Sequence, residues 1–98
     1  MSLNNMKELL QTLLEMANHI YPMRSVHTGW CTIGMFYHTS KNINKLYSFV
    51  IEGNRGTFRR VDIRDCENEW FDVIRTKGAF TVIIHNGIKY DAQPTLQL

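Results

Sequence analysis

Apolar residues recur at helical spacing near the start of the chain and in alternation with polar ones over most of the remainder. Met6, Leu9, Leu10, Leu13, Leu14, Ala17, Ile20 and Tyr21 fall three or four apart, with Lys7, Glu8, Gln11, Thr12 and Glu15 between them. That spacing predicts an amphipathic helix. Asn5 and Glu8 have the spacing of a capping box, and Pro22 drives Tyr21 out of the helical conformation. From Thr28 to Ser40 the chain is rich in β-branched and aromatic residues, which predicts a strand. A loop at 41–44 leads to a second strand at Lys45–Glu52, and the turn Gly53-Asn54-Arg55-Gly56 leads to a third at Thr57–Ile63.

Asp65 is placed to cap a second, shorter helix running to Lys77, with Trp70, Val73 and Ile74 as its apolar face. Glu67 and Glu69 near its start, Arg75 and Lys77 near its end, and Gly78 as terminator all suit the helix dipole and its C-cap. Ala79–His85 and Ile88–Ala92 then form a closing hairpin around Asn86-Gly87. A three-residue loop, His85-Asn86-Gly87, is expected there, because it keeps Val82, Ile84, Ile88 and Tyr90 on one buried face. The expected fold class is α+β: a five-stranded, mostly antiparallel sheet with two helices on one face, in the order α-βββ-α-ββ. One domain spans residues 1–98, frayed at 1–4 and 94–98.

Alternation gives each strand two faces. The expected core faces are Cys31, Ile33, Met35 and Tyr37 in the first strand, Tyr47, Phe49 and Ile51 in the second, and Val61 and Ile63 in the third. Five strands make a sheet about 24 Å wide, and two helices of about 10–12 Å diameter cover only one side of it. The uncovered side should then carry Trp30, Phe36, Val50, Phe58 and Ile83 among Thr32, His38, Ser48 and Arg60. Aromatic residues on an open sheet suit contact with another macromolecule.

Composition changes this picture little. At 98 residues there is room for one core, and a 44% apolar share with 11% aromatic residues is that of a globular domain rather than a disordered one. The two cysteines, Cys31 and Cys66, make neither a disulfide framework nor a metal-ligand pattern, and no secretory leader or membrane span is read, so a cytoplasmic location is expected. The formal net charge of +2 is too small to imply a polyanionic partner. The local cluster Arg55, Arg59, Arg60 and Arg64 is the one basic concentration, and alternation divides Arg59 from Arg60.

No motif reaches the specificity of a catalytic, metal or cofactor signature, and none of these is expected. His27 and Cys31, four apart on an extended strand, span about 13 Å, too far for one metal. Cys66 in the first turn of a helix would be biased towards thiolate but has no recognisable base. The reading is a non-enzymatic binding module, such as a small inhibitor, adaptor or chaperone-like partner. Its surface would comprise Trp30, Phe36, His38, Phe58 and Arg60, and its partner would be another protein or a second copy of the chain. The alternatives are nucleic-acid contact through Arg55, Arg59, Arg60 and Arg64, and a small enzyme using Cys66 or a histidine on the open face.

Overall fold

The computed structural model describes residues 3–27 and 29–92. A 16-residue helix, α1 (Leu3–Asn18), precedes seven strands: β1 (Met23–Ser25), β2 (Gly29–Ser40), β3 (Ile43–Glu52), β4 (Arg55–Arg60), β5 (Glu69–Thr76), β6 (Ala79–His85) and β7 (Ile88–Asp91). Each strand pairs antiparallel with the next, so order in space follows order in sequence. The expected five strands and two helices are therefore corrected to seven strands and one helix among the described residues. Residues 93–98, which include the whole of the expected frayed C-terminal tail at 94–98, lie outside the described residues.

The second helix is the largest correction. Glu69–Thr76 is a strand whose Phe71 and Val73 are buried while Trp70, Asp72 and Ile74 are exposed. Five of its eight residues are β-branched or aromatic, and alternation lets Phe71 and Val73 reach a core that a helix would share with Trp70. The charges that suited a helix dipole instead sit in loops and at strand ends. Short loops then force each turn: Lys41-Asn42, Lys77-Gly78 and Asn86-Gly87 all take positive φ at both positions, the geometry whose twist matches a two-residue hairpin.

The closing hairpin pairs His85 with Ile88, so its loop has two residues and the expected three-residue loop is corrected. The turn preference of Asn-Gly prevails because burial does not oppose it. Ile83 and Tyr90 pair directly and are both buried, whereas Val82 and Ile84 face the other way.

Strand phase follows from register. Thr32, Phe36 and His38 of β2 pair with Ile51, Tyr47 and Lys45 of β3, and Phe49 pairs with Phe58 of β4. The core side is completed by Phe71, Val73, Phe80, Ile83, His85 and Tyr90. The structure has the expected phase in β3 and the inverse phase in β2, where Ile33, Met35 and Tyr37 are exposed. The phase is also inverse in β4, where Phe58 is core, and Val61 and Ile63 lie beyond the strand.

Helix α1 packs this side with Leu9, Leu10, Leu13, Leu14 and Ala17, and touches β2 near one end of the sheet and β6 and β7 at the other. Seven strands laid flat would span about 34 Å, three times the width of a helix. The sheet therefore curls around α1 without closing, since β1 and β7 do not pair. Two devices fix the far wall. A bulge at Ile74/Arg75 shifts the phase of β6 so that Phe80 turns inwards. Asn18 then clamps Phe80, its Nδ2 donating to the Phe80 carbonyl at 2.9 Å and its Oδ1 accepting from the Phe80 N–H at 2.8 Å. Among the described residues no helix is long and apolar enough to cross a membrane.

Candidate interaction surface

Among the described residues no helix lies over the convex side of the sheet. Register places Ile33, Val50, Thr57 and Trp70 in one row across four strands. Beside it run Met35, Ser48 and Arg59, then Tyr37 and Leu46. On the other flank Glu52, Arg55, Asp72, Ile84 and Lys89 form a row of largely alternating charge across five strands. Met35, Tyr37 and Trp70 are 54%, 66% and 55% exposed. The surface is thus an apolar band bordered by charges of both signs.

Trp70 and Arg55 stand at its centre. The Arg55 guanidinium carbon lies 4.6 Å from the centroid of the Trp70 ring, close enough for the ring's negative face to attract the cation. A concavity of about 240 Å³ lies to one side, lined by Val50, Glu52, Arg55, Thr57 and Trp70. A second of about 130 Å³ lies to the other, reached past Asp72, Ile84 and Asn86. An indole wedge between two shallow concavities is a shape that a partner's side chains can straddle.

Of the residues expected to form the binding surface, Phe36, His38 and Phe58 are buried on the helix side of the sheet. Trp30 is 60% exposed but by alternation lies on the helix side, paired with Arg24. Arg60 is also on that side and makes a two-pronged contact with Asp62, its Nε donating to Oδ1 at 3.0 Å and its Nη2 to Oδ2 at 2.7 Å. This contact holds the Asp62 carboxyl down at about 2, well below its ordinary value. The arginine cluster is dispersed accordingly. Arg55 and Arg59 face the convex side, Arg60 is paired, and Arg64 sits in the loop after β4.

Cys66 lies in irregular chain before β5, with no helix to polarise it. The buried histidines are held on the core side. His85 Nε2 is 2.9 Å from Glu69 Oε2, and its ring packs 5.7 Å from Phe58. Burial lowers the pKa of His38, Glu8 opposing this and Lys45 adding to it. Among the described residues no three His, Cys, Asp or Glu side chains converge as a metal site.

The sequence reading missed Ile33, Met35, Tyr37 and Trp70 as surface residues. Strand alternation in Glu69–Thr76 was the available signal for Trp70. In β2 both faces are apolar, and only Gly34 distinguishes them: a Cβ there would come 2.6 Å from Ile20 Cδ1 and from the Phe49 ring, so this face must lie against the helix side. What stands is a small α+β domain with an aromatic core and an open sheet face. Comparison of the chain with protein-family models, curated proteins and solved structures finds no match.

Proposed function

We propose that the chain is a non-enzymatic protein-binding module, a small inhibitor, adaptor or chaperone-like partner of a larger protein, acting through the convex face of its sheet. The observation that carries this reading is the row Ile33–Val50–Thr57–Trp70, which no element among the described residues covers, helix α1 being spent on the other side. Aromatic side chains and arginine dominate contact energetics, because they bury large areas with few rotors or present a fixed fork of donors. Trp70 and Arg55 are the anchors in this reading, with Ile33, Met35 and Tyr37 as the apolar surround. The mixed charges of Glu52, Arg55, Asp72 and Lys89 suit a protein surface better than a polyanion.

The test is capture of the partner by the wild-type chain, its identification by mass spectrometry with a parallel assay for nucleic acid, and titration of the identified partner against variants. Trp70→Ala should weaken binding by about 2 kcal/mol or more. Ile63→Ala, an exposed apolar residue in the loop after β4, should leave it within about 0.5 kcal/mol. Affinity should change modestly between low and high salt, whereas a nucleic-acid complex would lose affinity steeply through counterion release. Normal binding by Trp70→Ala together with loss in salt and in Arg59→Ala would replace this reading with nucleic-acid contact.

A further inference from the structure

A second surface, the outer edge of β2, is built from backbone and adjoins the convex face, to which the side chains of Ile33, Met35 and Tyr37 belong. The Leu46 carbonyl accepts from the Val61 N–H at 2.9 Å, so the backbone of Leu46 faces β4. Backbone groups alternate sides along an antiparallel strand, so Tyr47, Phe49 and Ile51 face β2, and their partners Phe36, Gly34 and Thr32 face back. Ile33, Met35, Tyr37 and Thr39 therefore turn their N–H and C=O groups away from β3. Strand β1 pairs no farther along β2 than Cys31, and among the described residues no other strand pairs with this edge. Residues 32–40 thus form a long open edge with no Lys, Arg, Asp, Glu or Pro to blunt it.

The edge ends in a groove of about 250 Å³ between β2 and α1, lined by Glu8, Gln11, Thr12 and Glu15 of the helix and by His38 and Thr39 of the strand. His38 is 6% exposed, and its Nε2 lies 3.9 Å from Glu8 Oε2. Its Nδ1 has no hydrogen-bond partner among the described residues, which leaves a buried acceptor unsatisfied if the ring proton is on Nε2 towards Glu8. Lys45, opposite His38, makes no ion pair with Glu8 or Glu15 among the described residues. The groove joins unpaired backbone to the carboxylates of Glu8 and Glu15, which make no ion pair with Lys or Arg among the described residues.

We propose that the outer edge of β2 takes up an extended segment of a partner protein as an added strand, and that basic side chains of the segment meet Glu8 and Glu15. Main-chain hydrogen bonds to Ile33, Met35, Tyr37 and Thr39 supply affinity, and alternate side chains entering the groove supply selection. A second copy of the chain fits less well. Pairing β2 with itself about a two-fold axis would bring the Glu8 and Glu15 flanks of both helices to one seam, and Gly29–Ser40 carries no cation to offset them.

The probes are a short peptide of alternating threonine and lysine, the same peptide with glutamate for lysine, and the lysine peptide N-methylated at alternate residues, in each of the two phases. The full chain is titrated by calorimetry, and amide exchange at Ile33, Met35 and Tyr37 is followed by NMR. The lysine peptide should bind and slow exchange at those three amides, the glutamate peptide should bind at least about tenfold more weakly, and one N-methylated phase should not bind. The double variant Glu8→Lys, Glu15→Lys changes only exposed helix positions and should lose the preference for lysine. Met35→Pro removes an outward N–H, a site where proline is tolerated on an edge, and should abolish binding with the circular dichroism unchanged. Lysine-peptide binding that leaves the three amides unprotected, equal binding of both N-methylated phases, or no binding at all would overturn the proposal. So would concentration-dependent protection without peptide, which would assign the edge to a second copy. Trp70→Ala should not affect these titrations, so the convex-face reading stands or falls separately.

Discussion

At single residues, the buried polar groups and the close approaches decide what the core tolerates. Gly56 pairs with Ile51 and Phe71, and a Cβ there would run into Cζ of the Phe71 ring and lie 2.8 Å from the Val50 carbonyl oxygen. Gly56→Ala should destabilise the fold by about 1–3 kcal/mol in urea unfolding, because the carbonyl belongs to a strand that cannot shift alone. His38 sets a pH dependence. It faces Glu8 from the helix and Lys45 and the Tyr47 ring from β3, and burial holds its pKa below the ordinary 6.5. Between that value and the lower native one, the unfolded chain binds a proton that the folded chain does not. Stability should therefore be full above about pH 6.5 and decline as pH falls below it. Melting temperatures across about pH 7.5 to 5 should show this decline in the wild type and a shallower one in His38→Gln.

At the scale of elements, the chain was legible where one pattern had one meaning. The stripe from Met6 to Ile20 reads only as a helix, and Leu13, at its centre, is fully buried. Leu13→Ala should cost about 2–5 kcal/mol, measured by chemical unfolding. Asn18→Ala should cost about 1–3 kcal/mol by the same measurement, since it strips both bonds from the Phe80 backbone. The positions of hairpin turns were legible too, through Asn86-Gly87 and Gly53, but not the two-residue length of the closing loop. Legibility failed where two patterns overlapped. Glu69–Thr76 carries the end charges of a helix and the alternation of a strand, and only the position of Phe71 and Val73 within the sheet selects between them. In β2, Cys31, Ile33, Met35 and Tyr37 form as apolar a set as Trp30, Thr32, Phe36 and His38. Burial is decided by how β2 registers against Phe49 and by the close packing at Gly34, which are tertiary facts. The candidate surface inherited these errors: one inverted strand exchanged Phe36 for Met35, and one mistaken helix hid Trp70.

For the whole molecule, every strand pairs with its sequence neighbour, yet the helix that comes before them all packs against the last two. Removing residues from Ala79 onwards deletes Phe80, Ile83 and Tyr90 from the core while leaving the first five strands intact in sequence. Such a truncated chain should not unfold cooperatively and should bind a hydrophobic dye strongly, because the leucine stripe of α1 loses the part of its cover that β6 and β7 supply. The same arrangement bears on how the protein is made. Asn18 waits for a partner 62 residues downstream, an interval on the order of 3–12 s at a synthesis rate of roughly 5–20 residues per second. Throughout that interval the leucine stripe of α1 has been synthesised but lacks its far wall. The nascent chain therefore presents a short-lived greasy helix to whatever surrounds the ribosome, and its yield in a cell should depend on holding chaperones far more than the small size of the finished domain would suggest.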